Sequence, residues 1–137
     1  MSAIPAFTVP FEVRDYECDL QGIVNNAVYQ QYLEHARHLY LKQRGFSFAE
    51  LTKAGIYLVV VRAEIDYKSP LRSGEAFVVS SRLARLTPVR FAFQQEIHCT
   101  VPRRLVLTAT ITCAAMSQAG KPIIPKGLDA LFDGPAS

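Results

Sequence analysis

"ECDLQGIVNNAVYQQYLEHAR", residues 17–37, joins a lone carboxylate at Asp19 to the start of a long amphipathic helix. Gly22 loosens the chain between them, and Asn25 and Asn26 stand where a helix N-cap is expected. From Asn26 to about Gln43 the apolar residues Val28, Tyr29, Tyr32, Leu33, Ala36, Leu39 and Tyr40 recur at intervals of three and four, and Gly45 follows as a stop. That pattern predicts about five turns of helix. A helix start carries unpaired N–H groups and partial positive charge, so it stabilises negative charge held near it. Asp19 therefore has two jobs open to it: to cap the helix or order the turn, or to grip a reacting group together with the helix start.

Upstream, Phe7, Val9, Phe11 and Val13 alternate with Thr8, Pro10, Glu12 and Arg14, which predicts a half-buried strand with one unpaired side at Pro10. Downstream, Ser47 and Glu50 form a capping box for a short second helix ending by Gly55. Everything after that is β in character. "IYLVVVRAEIDYKSP" passes from an apolar run into alternation of Val61, Ala63, Ile65 and Tyr67 with charged residues. "EAFVVSSRLARL", "RFAFQQEIHCTV" and "RLVLTATITCAAMS" follow, separated by "LRSG", "TPV" and "PR", which read as turns of an antiparallel meander. The long helix is the one element large enough to cover five strands, so the predicted class is α+β, one curved five-stranded antiparallel sheet wrapped around one long central helix.

The 137 residues are half hydrophobic and one-fifth charged, the composition of one globular domain, with a core over about 6–117 and an irregular tail over 118–137. The net charge of +3 comes from scattered basic residues, which argues against nucleic acid and leaves an anionic ligand tail as the better partner. Cys18, Cys99 and Cys113 are odd in number and lack CxxC spacing, as expected of buried free thiols in a reducing cytoplasm. No basic leader precedes an apolar stretch and no run of ~18 apolar residues occurs, so neither export nor a membrane span is expected.

The order strand, loop, long helix, four strands resembles the hotdog fold, and "DLQGIVNNAVYQQYLEHAR" resembles the active-site segment of hotdog thioesterases. The acid followed by x-x-G and the helix is similar to the 4-hydroxybenzoyl-CoA thioesterase group. The D-x-x-x-x-V-N-N spacing is similar to long-chain acyl-CoA and acyl-ACP thioesterases, where a histidine often stands at the position of Ile23. Asn26 likewise replaces the tyrosine or histidine common in the first group. The resemblance is sharp over residues 11–40 and covers the strand order to about 117. It implies an acyl-CoA or acyl-ACP thioesterase in which the amide at Asn26 polarises the thioester carbonyl; no cofactor is expected, and no metal, since no His, Cys or carboxylate cluster has ligand spacing.

Thioester hydrolysis needs a nucleophile or a base for water, and donors where the carbonyl oxygen gains charge. Asp19 is the candidate for the first role, either attacking the carbonyl or deprotonating water. Gly22, Ile23, Val24, Asn25, Asn26 and Tyr29 are the candidate substrate-binding residues, Asn25 being equally suited to a plain N-cap. Glu34 is either a second carboxylate or half of a helical ion pair with Arg37 or His38. His35 and His38 lack H-x-x-x-H spacing, and neither G-x-x-x-x-G-K-[ST] nor G-x-S-x-G occurs. Tyr29, Tyr32, Leu33, Val59, Val60 and Val61 are expected mostly in the core, with an acyl pocket as the other reading. Arg62, Lys68, Arg72, Arg90, Arg103 and Arg104 are the cations available to coenzyme A phosphates. The alternative function is binding of acyl thioesters without cleavage; enoyl hydration would need a histidine where Ile23 or Asn26 stands. Unpaired sheet edges predict a homodimer or homotetramer.

Overall fold

The computed structural model describes residues 6–46 and 48–123. Strand β1 (Phe7–Glu12) leads through a short 3-10 turn (Asp15–Glu17) to helix α1 (Asn26–Gln43), the short helix α2 (Phe48–Lys53), and strands β2 (Ile56–Tyr67), β3 (Ala76–Thr87), β4 (Arg90–Thr100) and β5 (Arg103–Ser117). The Ser47 cap expected for α2, and the tail beyond residue 123, lie outside the described residues.

Helix α1 has the bounds its periodicity predicts. The Asn25 side chain accepts from the Ala27 N–H, and at the other end Gly45 takes φ +88° while the Phe46 N–H closes on the Leu41 carbonyl. A left-handed φ suits a residue without Cβ, so the helix stops there. Tyr29, Tyr32, Leu33, Ala36, Tyr40 and Leu41 form its buried face. They meet Phe77, Val79, Leu83, Phe91, Phe93, Ile97 and Ile111 of the sheet. Burying each large side chain contributes about 1.5–3 kcal/mol, and this stripe is what holds the helix to the strands.

The strand order is β1-β3-β4-β5-β2, all antiparallel. The meander holds for β3, β4 and β5 but not for "LRSG": β2 and β3 are not neighbours, because β2 pairs with β5 while β3 pairs with β1. The segment between Tyr67 and Ala76 is a crossover and not a hairpin turn, and it carries the chain from one sheet edge toward the other. Both edges are thereby made from segments flanking the helix.

Strand β2 corrects a second expectation. Its register slips between Val60 and Arg62, a β-bulge at Val61, so Val60 and Ala63 both line the hollow against α1. Val59, Val60 and Val61 are 36 %, 50 % and 44 % exposed and are not core. They lie on an edge strand, where one side of the ladder has no neighbour. Strand β1 is the other edge, and its Pro10 costs no ladder bond there.

Between helix and sheet lies a buried polar network. Gln95, 1 % exposed, donates from Nε2 to the Leu33 carbonyl (3.0 Å) and to Ser81 Oγ (3.0 Å), and its Oε1 accepts from Arg37 Nη1 (3.1 Å). Cys99 and Cys113 are buried free thiols, the latter pushed up to about 11 by burial, whereas Cys18 is only half-buried. After β5 the chain turns back, and the Ile123 N–H bonds to the Ala115 carbonyl at 3.0 Å. Residues 118–123 of the expected irregular tail are therefore tied to the sheet. Among the described residues no helix is long and apolar enough to cross a membrane.

Candidate active site

The segment 18–24 forms a small hairpin. The Asp19 N–H donates to the Ile23 carbonyl (2.9 Å), the Gly22 N–H to the Asp19 carbonyl (3.0 Å), and Cys18 bridges Val24. Gly22 takes φ +79°, the conformation that closes this turn and that a side chain would oppose. Asp19 Oδ1 accepts from the Gln21 N–H at 2.9 Å, which orients the carboxylate. Its Oδ2 has no hydrogen-bond partner among the described residues, and the residue is exposed. Asp19 is thus a turn residue and not the helix cap; Asn25 holds that position.

The first turn of α1 divides its donors unevenly. The Asn25 N–H goes to the Glu17 carbonyl (2.9 Å), the Ala27 N–H to Asn25 Oδ1 (3.0 Å) and the Val28 N–H to the Asn25 carbonyl (2.9 Å). The Asn26 N–H has no acceptor among the described residues. An N–H left open at a helix start favours negative charge placed near it.

Asp19, Ile23, Val24, Asn26 and Tyr29 line one side of a cleft of about 400 Å³, and Tyr67, Lys68, Ser69 and Pro70 line the other. Five of the seven candidate residues therefore meet in one place. Gly22 and Asn25 do not line it; they shape the turn and cap the helix. Of the far wall, the sequence named only Lys68, as one of six candidate cations; Tyr67, Ser69 and Pro70 escaped because the wall comes from the end of β2, some forty residues on, and nothing local says that β2 ends beside the start of α1. The Pro70 stop after "YKS" is the one signal that the chain turns there.

That wall is fixed by bonds from below. The Lys68 and Ser69 N–H groups donate to the Val106 carbonyl, Ser69 Oγ to the Leu105 carbonyl (2.8 Å), and Arg104 Nη2 to the Pro70 carbonyl (2.7 Å). Tyr29 Oη accepts the Leu71 N–H at 3.0 Å, and its ring meets Tyr67 edge to face at 5.5 Å. Burial pushes both phenols above their ordinary value, so both are neutral hydrogen-bonding groups near pH 7.

Of the six candidate cations, Lys68 lines the cleft and the Arg72 backbone bridges Ile23. Arg104 is committed to Glu75 through two bonds of 3.1 and 2.8 Å, and Arg62 pairs with Glu64. Arg103 lies with Arg82 and His98 in a hollow of about 640 Å³ on outward-facing strand residues, and Arg90 begins β4 at the other end of the sheet. Glu34 does not line the Asp19 cleft. It borders a hollow of about 240 Å³ between α1 and β2 with Gln30, Arg37, Val60 and Ala63. His38 lies beside that groove, whereas His35 packs edge-on against Phe11 on the β1 side, where a further hollow of about 610 Å³ opens. None of these other hollows has a helix start among its lining residues; of these hollows the Asp19 cleft alone combines a carboxylate with one.

Residues 13–132 match the thioesterase-like superfamily. A chloroplastic acyl-acyl carrier protein thioesterase of Arabidopsis thaliana is 35% identical over 114 residues, 83% of this chain and 61% of that protein. A second from the same plant is 34% identical over 90% of this chain and 66% of its own length, so the chain spans less than two thirds of both. A long-chain acyl-CoA thioesterase of Escherichia coli is 33% identical over 74% of this chain and 76% of that one. Among solved structures, a 1,4-dihydroxy-2-naphthoyl-CoA thioesterase from Synechocystis superposes with a TM-score of 0.88 at 21% identity, covering 95% of this chain and 99% of that one, a likeness of fold.

Proposed function

The chain belongs to the thioesterase-like superfamily and has the hotdog fold, and on that footing we propose that it hydrolyses acyl thioesters of coenzyme A or acyl carrier protein. The observation that carries the reading is the pairing, on one cleft, of a carboxylate with an unbonded oxygen and a helix-start N–H without an acceptor. With the thioester carbonyl oxygen at the Asn26 N–H, negative charge developing on that oxygen meets a fixed donor; such a donor contributes about 2.7–4 kcal/mol to the transition state. Asp19 then acts in one of two ways. As a base it takes a proton from water while the water oxygen bonds to the carbonyl carbon, the C–S bond breaks, and the proton passes to the thiolate. As a nucleophile it bonds to that carbon itself, expels the thiolate, and leaves a mixed anhydride that water cleaves to the acid.

Lys68, on the cleft wall, and Arg72, whose backbone bridges Ile23, are the cations assigned to the phosphates of the thiol carrier. The reading also includes a second copy joined along β2: this edge runs twelve residues, exposes three valines and has no charged residue from Ile56 to Val61, whereas β1 is half as long and carries Pro10. A reducing cytoplasm fits the buried thiols of Cys99 and Cys113. The test is release of free thiol from a panel of aromatic, short, medium and long acyl-CoAs and an acyl carrier protein thioester. Turnover of at least one class supports hydrolysis; saturable binding of the thioesters with no thiol release overturns it in favour of a carrier.

A further inference from the structure

Glu17 is the one buried charged side chain among the described residues, at 6 % exposure. Burial opposes its ionisation, but the Arg14 N–H (2.8 Å) and the Tyr32 hydroxyl (2.7 Å) both donate to Oε1, Arg14 Nη2 donates to Oε2 (3.0 Å), and together they hold its carboxyl below the usual carboxylate range. The guanidinium of Arg14 is largely exposed and contributes little to the lock, which is carried by the N–H and the phenol. The Glu17 backbone carbonyl also receives the Asn25 N–H at 2.9 Å. One residue thus ties together the 3-10 turn, the second turn of α1 and the N-cap. Asp19 follows it by two positions and the Asn26 amide adjoins the N-cap it holds.

We propose that Glu17, locked by Tyr32, is a positioning residue that sets the Asp19 carboxylate against the Asn26 N–H. The inference depends on the hydrolytic reading of Asp19 given above. Glu17 and Tyr32 do not line the Asp19 cleft, so they act on the reaction only through the geometry of the turn. A misplacement of reacting groups by about 1 Å costs up to about 100-fold in rate, which is the sensitivity the device controls.

The experiment compares Tyr32→Phe, Glu17→Ala, Glu17→Gln and Asp19→Asn with wild type on the best acyl-CoA, at a temperature where each has wild-type circular dichroism. Tyr32→Phe and Glu17→Ala are expected to lower kcat at least ~10-fold with KM within about threefold. Glu17→Gln keeps an oxygen for Tyr32 and the Arg14 N–H and is expected to stay within about threefold of wild-type kcat. Lower thermal midpoints with kcat unchanged in Tyr32→Phe and Glu17→Ala would overturn the proposal, since they assign the lock to stability alone. Glu17→Gln as damaging as Glu17→Ala would overturn it too, because charge and not position would then be what matters. If Glu17→Ala does not fold, Tyr32→Phe decides by the same criterion. Wild-type turnover in Asp19→Asn would remove the underlying reading and the proposal with it; loss there with normal Tyr32→Phe removes the proposal only.

Discussion

Glu17 and Asp19 are two residues apart, yet one is buried among donors and the other is exposed beside a cleft. Local signals made Asp19, Gly22, Asn25 and Asn26 legible, since a turn glycine and an Asn cap are properties of a few consecutive residues. Glu17 has no such signature; its partner Tyr32 lies fifteen residues away and only the folded chain brings the two together. The carboxyls of Glu17 and Glu75 lie below the ordinary value of 4.5, Glu17 because its donors outweigh burial and Glu75 chiefly through the Arg104 hydrogen bonds. Depressed folded values mean the unfolded chain binds more protons, so this stability is present above about pH 4.5 and is lost as pH falls through the folded values. Urea midpoints of wild type and Glu17→Gln should therefore differ most near neutral pH and converge below about pH 4.5; a gap that stays constant from about pH 7 to 3 contradicts the assignment.

At the scale of elements, the helix was readable and the strand order was not. Periodicity fixes the length of α1 because its apolar stripe must face the sheet, but pairing partners depend on contacts between distant segments, and nothing within "YKSPLRSG" distinguishes a crossover from a hairpin. The bulge at Val61 likewise leaves no mark in an apolar run. Gln95 shares the inward face of β4 with Phe91, Phe93 and Ile97 by simple alternation, yet its three hydrogen bonds to α1 and β3 belong to the packed structure. Gln95→Leu keeps the volume and strands Arg37 and the Ser81 hydroxyl, so it should lower unfolding stability by about 2–4 kcal/mol, read as a lower urea midpoint at unchanged m-value. A change under about 0.5 kcal/mol would show that the network does not clamp the helix.

At the scale of the molecule, two sheet edges and one cleft remain. The long apolar edge of β2 predicts a species of twice 15.2 kDa in sedimentation at micromolar concentration. Lysines at Val59 and Val61 should convert it to the single chain with secondary structure intact, while a 15.2 kDa wild type would leave β2 an unpaired edge. The cleft joins an element from the first quarter of the chain to one from the middle, which is why its near wall could be named from sequence and, of its far wall, only Lys68. The most direct test of the account is the steady-state rate of Asp19→Asn beside its affinity for acyl-CoA. An amide keeps the turn's acceptor but is neither nucleophile nor base near pH 7, so kcat should fall at least ~100-fold while KM and ligand affinity move by less than about threefold. Turnover within about threefold of wild type would contradict the account and leave Asp19 a turn residue only.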